Sequence, residues 1–190
     1  MFVLDAKSER IVALLLAVLM AATRIHHFGI GVIAPDASTG VFFLAGLMLA
    51  SPFWFVILAI EAVLLDAIAI GVVGIAAACM TLGYWLLFVG YLALWYAGRL
   101  VRPAEKLDLL YGCKLLCFAA GGVALFFVLS NVGYYFGGGF NESMGAVEYI
   151  SRVSRYFSFY LVSTLGYVAA GVIAFAVVSR RMAGGRLAAR

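Results

Sequence analysis

Charge is what this sequence has least of. Only 12% of its 190 residues are Asp, Glu, Lys or Arg, 66% are hydrophobic, and the mean hydropathy is +1.13. No single small core could hide that much apolar surface, which excludes a soluble domain and predicts an integral membrane protein. Cysteine is scarce too. Cys79, Cys113 and Cys117 have neither regular spacing nor a histidine cluster beside them, which excludes a disulfide framework and a structural zinc. No P-loop run of the form GxxxxGKS/T occurs, so the chain does not itself hydrolyse ATP through one. Only two histidines are present, His26 and His27, and no second pair completes a bis-histidine haem site. Asp5, Lys7, Glu9 and Arg10 precede an apolar run as in a signal peptide. That run continues too far and lacks a small-residue cleavage site, so it reads as a mature helix.

What the sequence does have is apolar runs of spanning length. At about 20 residues per span, the chain has room for about six helices in one transmembrane domain, residues 1–190, and no extra soluble domain. The first helix is expected over residues 11–25, and Gly29, Gly31 and Pro35 then break the chain into a loop, residues 26–39. Short and apolar, the second covers 41–50 and stops at Ser51-Pro52. The third runs 53–70, the fourth 80–98, the fifth 109–136 and the last 150–178, with Gly137–Gly139 followed by Phe140-Asn141-Glu142-Ser143 as a glycine-rich loop. Lysine and arginine set the orientation, because they are retained on the cytoplasmic side. With six helices, ten of the 13 fall on one side and only Arg24, Arg152 and Arg155 on the other, which makes both termini cytoplasmic. Five or seven helices would break that asymmetry.

The stretch from Ala59 to Tyr84 carries the chemistry. Asp66 is costly in an apolar segment, by roughly 2.5–3.5 kcal/mol on insertion scales, and is therefore a site candidate. It pairs either with an arginine or histidine of the outer side or serves as a clasp between helices. Glu61, five residues earlier, lies about 140° around the helix, so the two carboxylates are not a catalytic dyad. Cys79 is either a metal-binding thiolate or packing. Cys113 and Cys117, on the cytoplasmic half of the fifth helix, read as packing. The topology brings Asp66, Cys79, Tyr84, the histidine loop, Arg152 and Arg155 to the external face, an outward-facing pocket. On the first helix Ala13, Ala17 and Ala21 form a small-residue stripe, for packing within the bundle or for docking a membrane partner.

An all-α, six-helix chain with both ends inside, an Ala13-x-x-x-Ala17 stripe and an external pocket resembles the substrate-binding S-components of energy-coupling factor (ECF) transporters. The combination of His27, Asp66, Cys79 and Tyr84 is similar to the cobalamin-specific BtuM group, in which a cysteine ligates the corrinoid cobalt. The resemblance implies a subunit for uptake of cobalamin or cobinamide, with Cys79 on cobalt and His27, Asp66, Tyr84 and Arg152 in the pocket. His26 against His27, and Arg152 against Arg155, stay open. It further implies a scaffold membrane subunit, docked on Ala13 and Ala17, and ATPases as partners. The setting would be the lipid bilayer of a prokaryotic cytoplasmic membrane, with no nucleic acid involved. Ligand replacement at cobalt, such as decyanation, would be its only chemical step. A membrane haem or redox protein, an intramembrane enzyme using Cys79 or Asp66, and an S-component for another vitamin are the rival readings.

Overall fold

The computed structural model describes residues 4–24, 34–73, 83–102 and 108–188, with side chains for all of these except 72–73 and 179–188. Among them are eight helices and no strand: α1 (Ala6–Arg24), α2 (Ser38–Met48), α3 (Phe53–Val73), α4 (Tyr84–Leu100), α5 (Leu109–Gly137), α6 (Phe140–Ser143), α7 (Ala146–Ser154) and α8 (Phe157–Ala188). Three of these, over Phe53–Gly71, Leu109–Gly137 and Phe157–Val178, are long and apolar enough to cross a membrane. The six expected spans are thus matched by three such helices among the described residues. α1 carries Lys7, Glu9, Arg10 and Arg24 within its length, and α4 has 17 residues.

At the centre lies α2. Its 11 residues rise about 16 Å, roughly half of a bilayer's hydrocarbon thickness. Every residue from Ala37 to Leu47 is buried, and the helix packs against α1, α3, α4, α5 and α8. A helix that is apolar all round can meet lipid or protein; here it meets protein. Close approach of the backbones makes this possible. A methyl group added at Gly46 would stand 1.8 Å from the Trp95 carbonyl oxygen, and one at Gly98 2.1 Å from that of Phe43, so α2 and α4 touch where neither has a side chain. Contacts of this kind are the usual glue between helices in lipid, where the hydrophobic effect gives none.

Polar groups gather at the two ends of the bundle. At one end, Glu9 accepts hydrogen bonds from the backbone N–H groups of Ala50 and Ser51 and from the Trp54 indole, and Arg99 donates to the Ala50 carbonyl at 2.7 Å. Arg102 donates to the Leu49 carbonyl beside it. These bonds satisfy the α2–α3 turn, whose orphan carbonyls and amides would otherwise be costly. The C-terminal end of α1, the N-terminal ends of α2 and α4 and the far half of α3 meet at the opposite end, where the candidate site lies.

Several boundaries differ from the sequence reading: α1 begins at Ala6 and not at 11, α2 covers Ser38–Met48 and not 41–50, and α4 begins at Tyr84 and not at 80. The expected single last helix from residue 150 is two helices, α7 and α8, separated at Arg155-Tyr156 by a turn in which Tyr156 N–H bonds to the Val153 carbonyl at 2.9 Å. Neither glycine nor proline marks that break. The glycine-rich loop contains the single-turn α6, entered through Gly139 in the left-handed region at φ +75°, a conformation that glycine adopts without a Cβ penalty.

Candidate functional site

Arg24 ends α1 and Asp66 stands on α3, 42 residues apart, and their side chains form a fork-to-fork pair. Arg24 Nε donates to Asp66 Oδ1 at 2.7 Å and Nη2 to Oδ2 at 2.6 Å, with the side chains only 6% and 9% exposed. This geometry is the most directional an ion pair has. Tyr84, at the first position of α4, donates its hydroxyl to the same Asp66 Oδ2 at 2.5 Å. Three helices are thus joined at one carboxylate. The remaining Arg24 nitrogen, Nη1, donates to the hydroxyls of Ser38 and Tyr91, both at 2.8 Å.

Around this hub the chain supplies two supports. Asp36 Oδ1 accepts from the Ser38 N–H at 2.9 Å and from its hydroxyl at 2.6 Å, which fixes the start of α2. Thr23 Oγ1 accepts from the Ala37 N–H at 3.1 Å and donates to the Leu19 carbonyl at 2.9 Å. Beneath the hub, Tyr91 is stacked between Phe42 of α2 and Phe126 of α5, with ring centroids at 4.3 and 5.1 Å. That column leaves Tyr91 no freedom to swing its hydroxyl away from Arg24.

The hub forms one end of a half-open cavity of about 550 Å³. Nine of its 19 lining residues are aromatic, among them Tyr84, Phe127, Tyr156 and Tyr160. Asn131 of α5 and Tyr149 of α7 line it as well. The Tyr149 hydroxyl donates at 3.2 Å to the Asn131 side-chain oxygen, and burial pushes its phenol above the ordinary tyrosine range. An aromatic cavity of this size with a few convergent polar groups is the form that small-molecule sites take.

The structure brings together Asp66 and Tyr84, and it shows that Asp66 is paired with Arg24. His27, like His26, and Cys79 lie outside the described residues. Arg152 is on the surface of α7, 61% exposed and paired with Glu148 at 2.7 Å one helical turn away, and it does not line the cavity. From the same segment, Tyr149, Val153 and Tyr156 line it instead. Arg24, Asp36, Ser38, Tyr91, Asn131 and Tyr149 belong to the site or its support without having been singled out for it from the sequence. Ala13 faces the core at 3% exposure and Ala17 packs beside it, so in this structure the alanine stripe serves internal packing. Among the described residues, no group of three or more His, Cys, Asp or Glu could hold a metal ion. No protein-family model and no curated protein matches the sequence.

Proposed function

We propose that this chain is the membrane substrate-binding subunit of a corrinoid uptake system, which takes cobalamin or cobinamide at its outer face and ligates the cobalt through Cys79. The observation that carries the reading is the aromatic-walled cavity closed at one end by the Arg24–Asp66–Tyr84 hub. Flat, apolar macrocycle faces suit the aromatic walls, and an amide-rich rim suits the tyrosine hydroxyls, Asn131 and Asp36. Cys79 stands four residues before Gly83, which lines the cavity, and four residues of extended chain span at most about 14 Å. His27 follows Arg24, another lining residue, by three. One axial thiolate is enough to hold a corrin-bound cobalt, so the donor set needs no cluster of protein ligands. A soft sulfur donor displaces water or cyanide, which leaves with its electron pair while the cobalt keeps its oxidation state.

In this reading six helices cross the cytoplasmic membrane of a prokaryote, both termini are cytoplasmic, and the cavity opens outward. The ten-to-three division of lysine and arginine supports that orientation. ATP-driven uptake would require a scaffold subunit and ATPases as partners. Because Ala13 is turned inward, docking on the Ala13 and Ala17 face would require α1 to move away from the rest of the bundle. The visible spectrum of protein purified from cells grown with cobalamin tests the reading. Corrinoid bands that co-purify in stoichiometric amount, shifted as expected of sulfur ligation, are the expected result. Colourless protein, or the Soret band of a haem, would overturn it.

A further inference from the structure

Among the described residues that line the cavity, Arg24 is the one cation. Among the described residues, four of the five N–H groups of Arg24 have partners, two on Asp66, one on Ser38 and one on Tyr91. Its side chain presents only 6% of its surface. Asp66 is likewise filled, by Arg24 on both oxygens and by Tyr84 on one. Asp36 is different. Its Oδ1 is held by Ser38, but its Oδ2 accepts no hydrogen bond from the described residues, lies 3.9 Å from the nearest Arg24 nitrogen, and belongs to a side chain that is 25% exposed and lines the cavity. Among the described residues, one guanidinium faces two carboxylates here, so acidic groups outnumber basic ones among them and the open valence is an acceptor.

We propose that Asp36 is a specificity-determining residue, which accepts an N–H from an amide of the ligand and rejects ligands that carry a carboxylate there. This rests on the corrinoid reading and narrows it to a substrate class, the fully amidated corrinoids as opposed to their partly hydrolysed acids. Amide and acid are nearly the same size, so shape cannot separate them. Charge and hydrogen-bond polarity can: the amide gives Oδ2 the donor it lacks, and the acid sets two anions against each other beside an arginine that is already committed. A site built to bond a donor discriminates against the analogue without it, because the polar group that the ligand covers is left unpaired.

The test compares cobalamin with its separated b-, d- and e-monocarboxylates, made by mild hydrolysis of the peripheral propionamides, in equilibrium binding to the purified full-length protein at neutral pH. At least one isomer is expected to bind more weakly than cobalamin by roughly tenfold to a hundredfold, the cost of one like-charge contact at a partly exposed site. In Asp36→Asn, which can donate to a carboxylate, that penalty should fall below about threefold, as it should in Asp36→Ser if the first variant does not fold. Equal or tighter binding of all three acids by the parent protein overturns the assignment of Asp36. So does a penalty that persists undiminished in a folded Asp36 variant. Absence of cobalamin binding by the parent protein is a separate outcome and overturns the corrinoid reading itself.

Discussion

Replacing Arg24 by methionine is the perturbation that asks most of the hub. Methionine keeps the unbranched apolar stem but lacks the guanidinium, so Asp66 is left with the Tyr84 hydroxyl as its sole donor among the described residues. Breaking one side of a buried, bidentate pair typically costs about 3–5 kcal/mol, because a desolvated charge stays behind without its partner. Ser38 and Tyr91 lose a donor as well, which keeps the cost towards the upper end. For a chain of this size, each kcal/mol shifts the melting temperature by about 2–4 °C, so Arg24→Met should melt some 6–20 °C below the parent. Thermal unfolding in detergent, followed by size-exclusion recovery after heating, measures it. The double variant Arg24→Met, Asp66→Leu removes both charges and should regain part of the loss, short of full recovery because the Tyr84 and Tyr91 hydroxyls lose these partners. A single variant that melts within about 2 °C of the parent, or a double variant no better than the single, would refute the reasoning that the pair is a buried, mutually dependent unit.

Gly46→Ala should abolish folding or cost at least about 1–3 kcal/mol, since its methyl would meet the Trp95 carbonyl, whereas Gly121→Ala, with nothing within 4 Å, should be neutral or stabilising by up to about 1 kcal/mol. Size-exclusion profiles of the two side by side decide it. Ala13→Leu should reduce the yield of folded protein, because that position is buried in the bundle. A folded variant that binds ligand but no longer supports uptake would instead mark a docking face. Reporter fusions after Arg190 and near Asn141 should score on opposite sides of the membrane, and same-side results would exclude the six-span topology.

Much of the fold could be read from composition, because long apolar runs bounded by charge leave few alternatives. The starts of α3 and α5 are where the sequence puts them, at Phe53 after Ser51-Pro52 and at Leu109 after Asp108, which caps α5 by accepting from the Tyr111 N–H. α2 was legible as short and apolar but not as central, since an all-apolar segment looks the same whether it faces lipid or five other helices. The α7–α8 break was hidden because Arg155-Tyr156 carries no breaking residue. At the site, Asp66 announced that it needed a partner, and its buried position in α3 is the reason. The choice of Arg24 over His26, His27, Arg152 or Arg155 was not legible, because it depends on where α1 ends relative to α3, a tertiary fact with no local signal. Asp36 was missed for the ordinary reason that short polar residues near helix ends usually serve as caps, and Asn131 because a lone amide inside α5 gives no local sign of what it faces.

The central claim is the cobalt bond of Cys79, and binding of aquocobalamin to the purified Cys79→Ser variant tests it most directly. Serine nearly matches cysteine in size but offers a hard, poorly ionising hydroxyl, so packing should survive while the metal bond is lost. Cys113→Ser, the same change on an exposed face of α5 away from the cavity lining, serves as the control. The account expects folded, monodisperse protein in both variants, with the sulfur-ligation spectrum and tight binding lost in Cys79→Ser and kept in Cys113→Ser. A Cys79→Ser protein that binds aquocobalamin as tightly as the parent, with an unchanged spectrum, would contradict it.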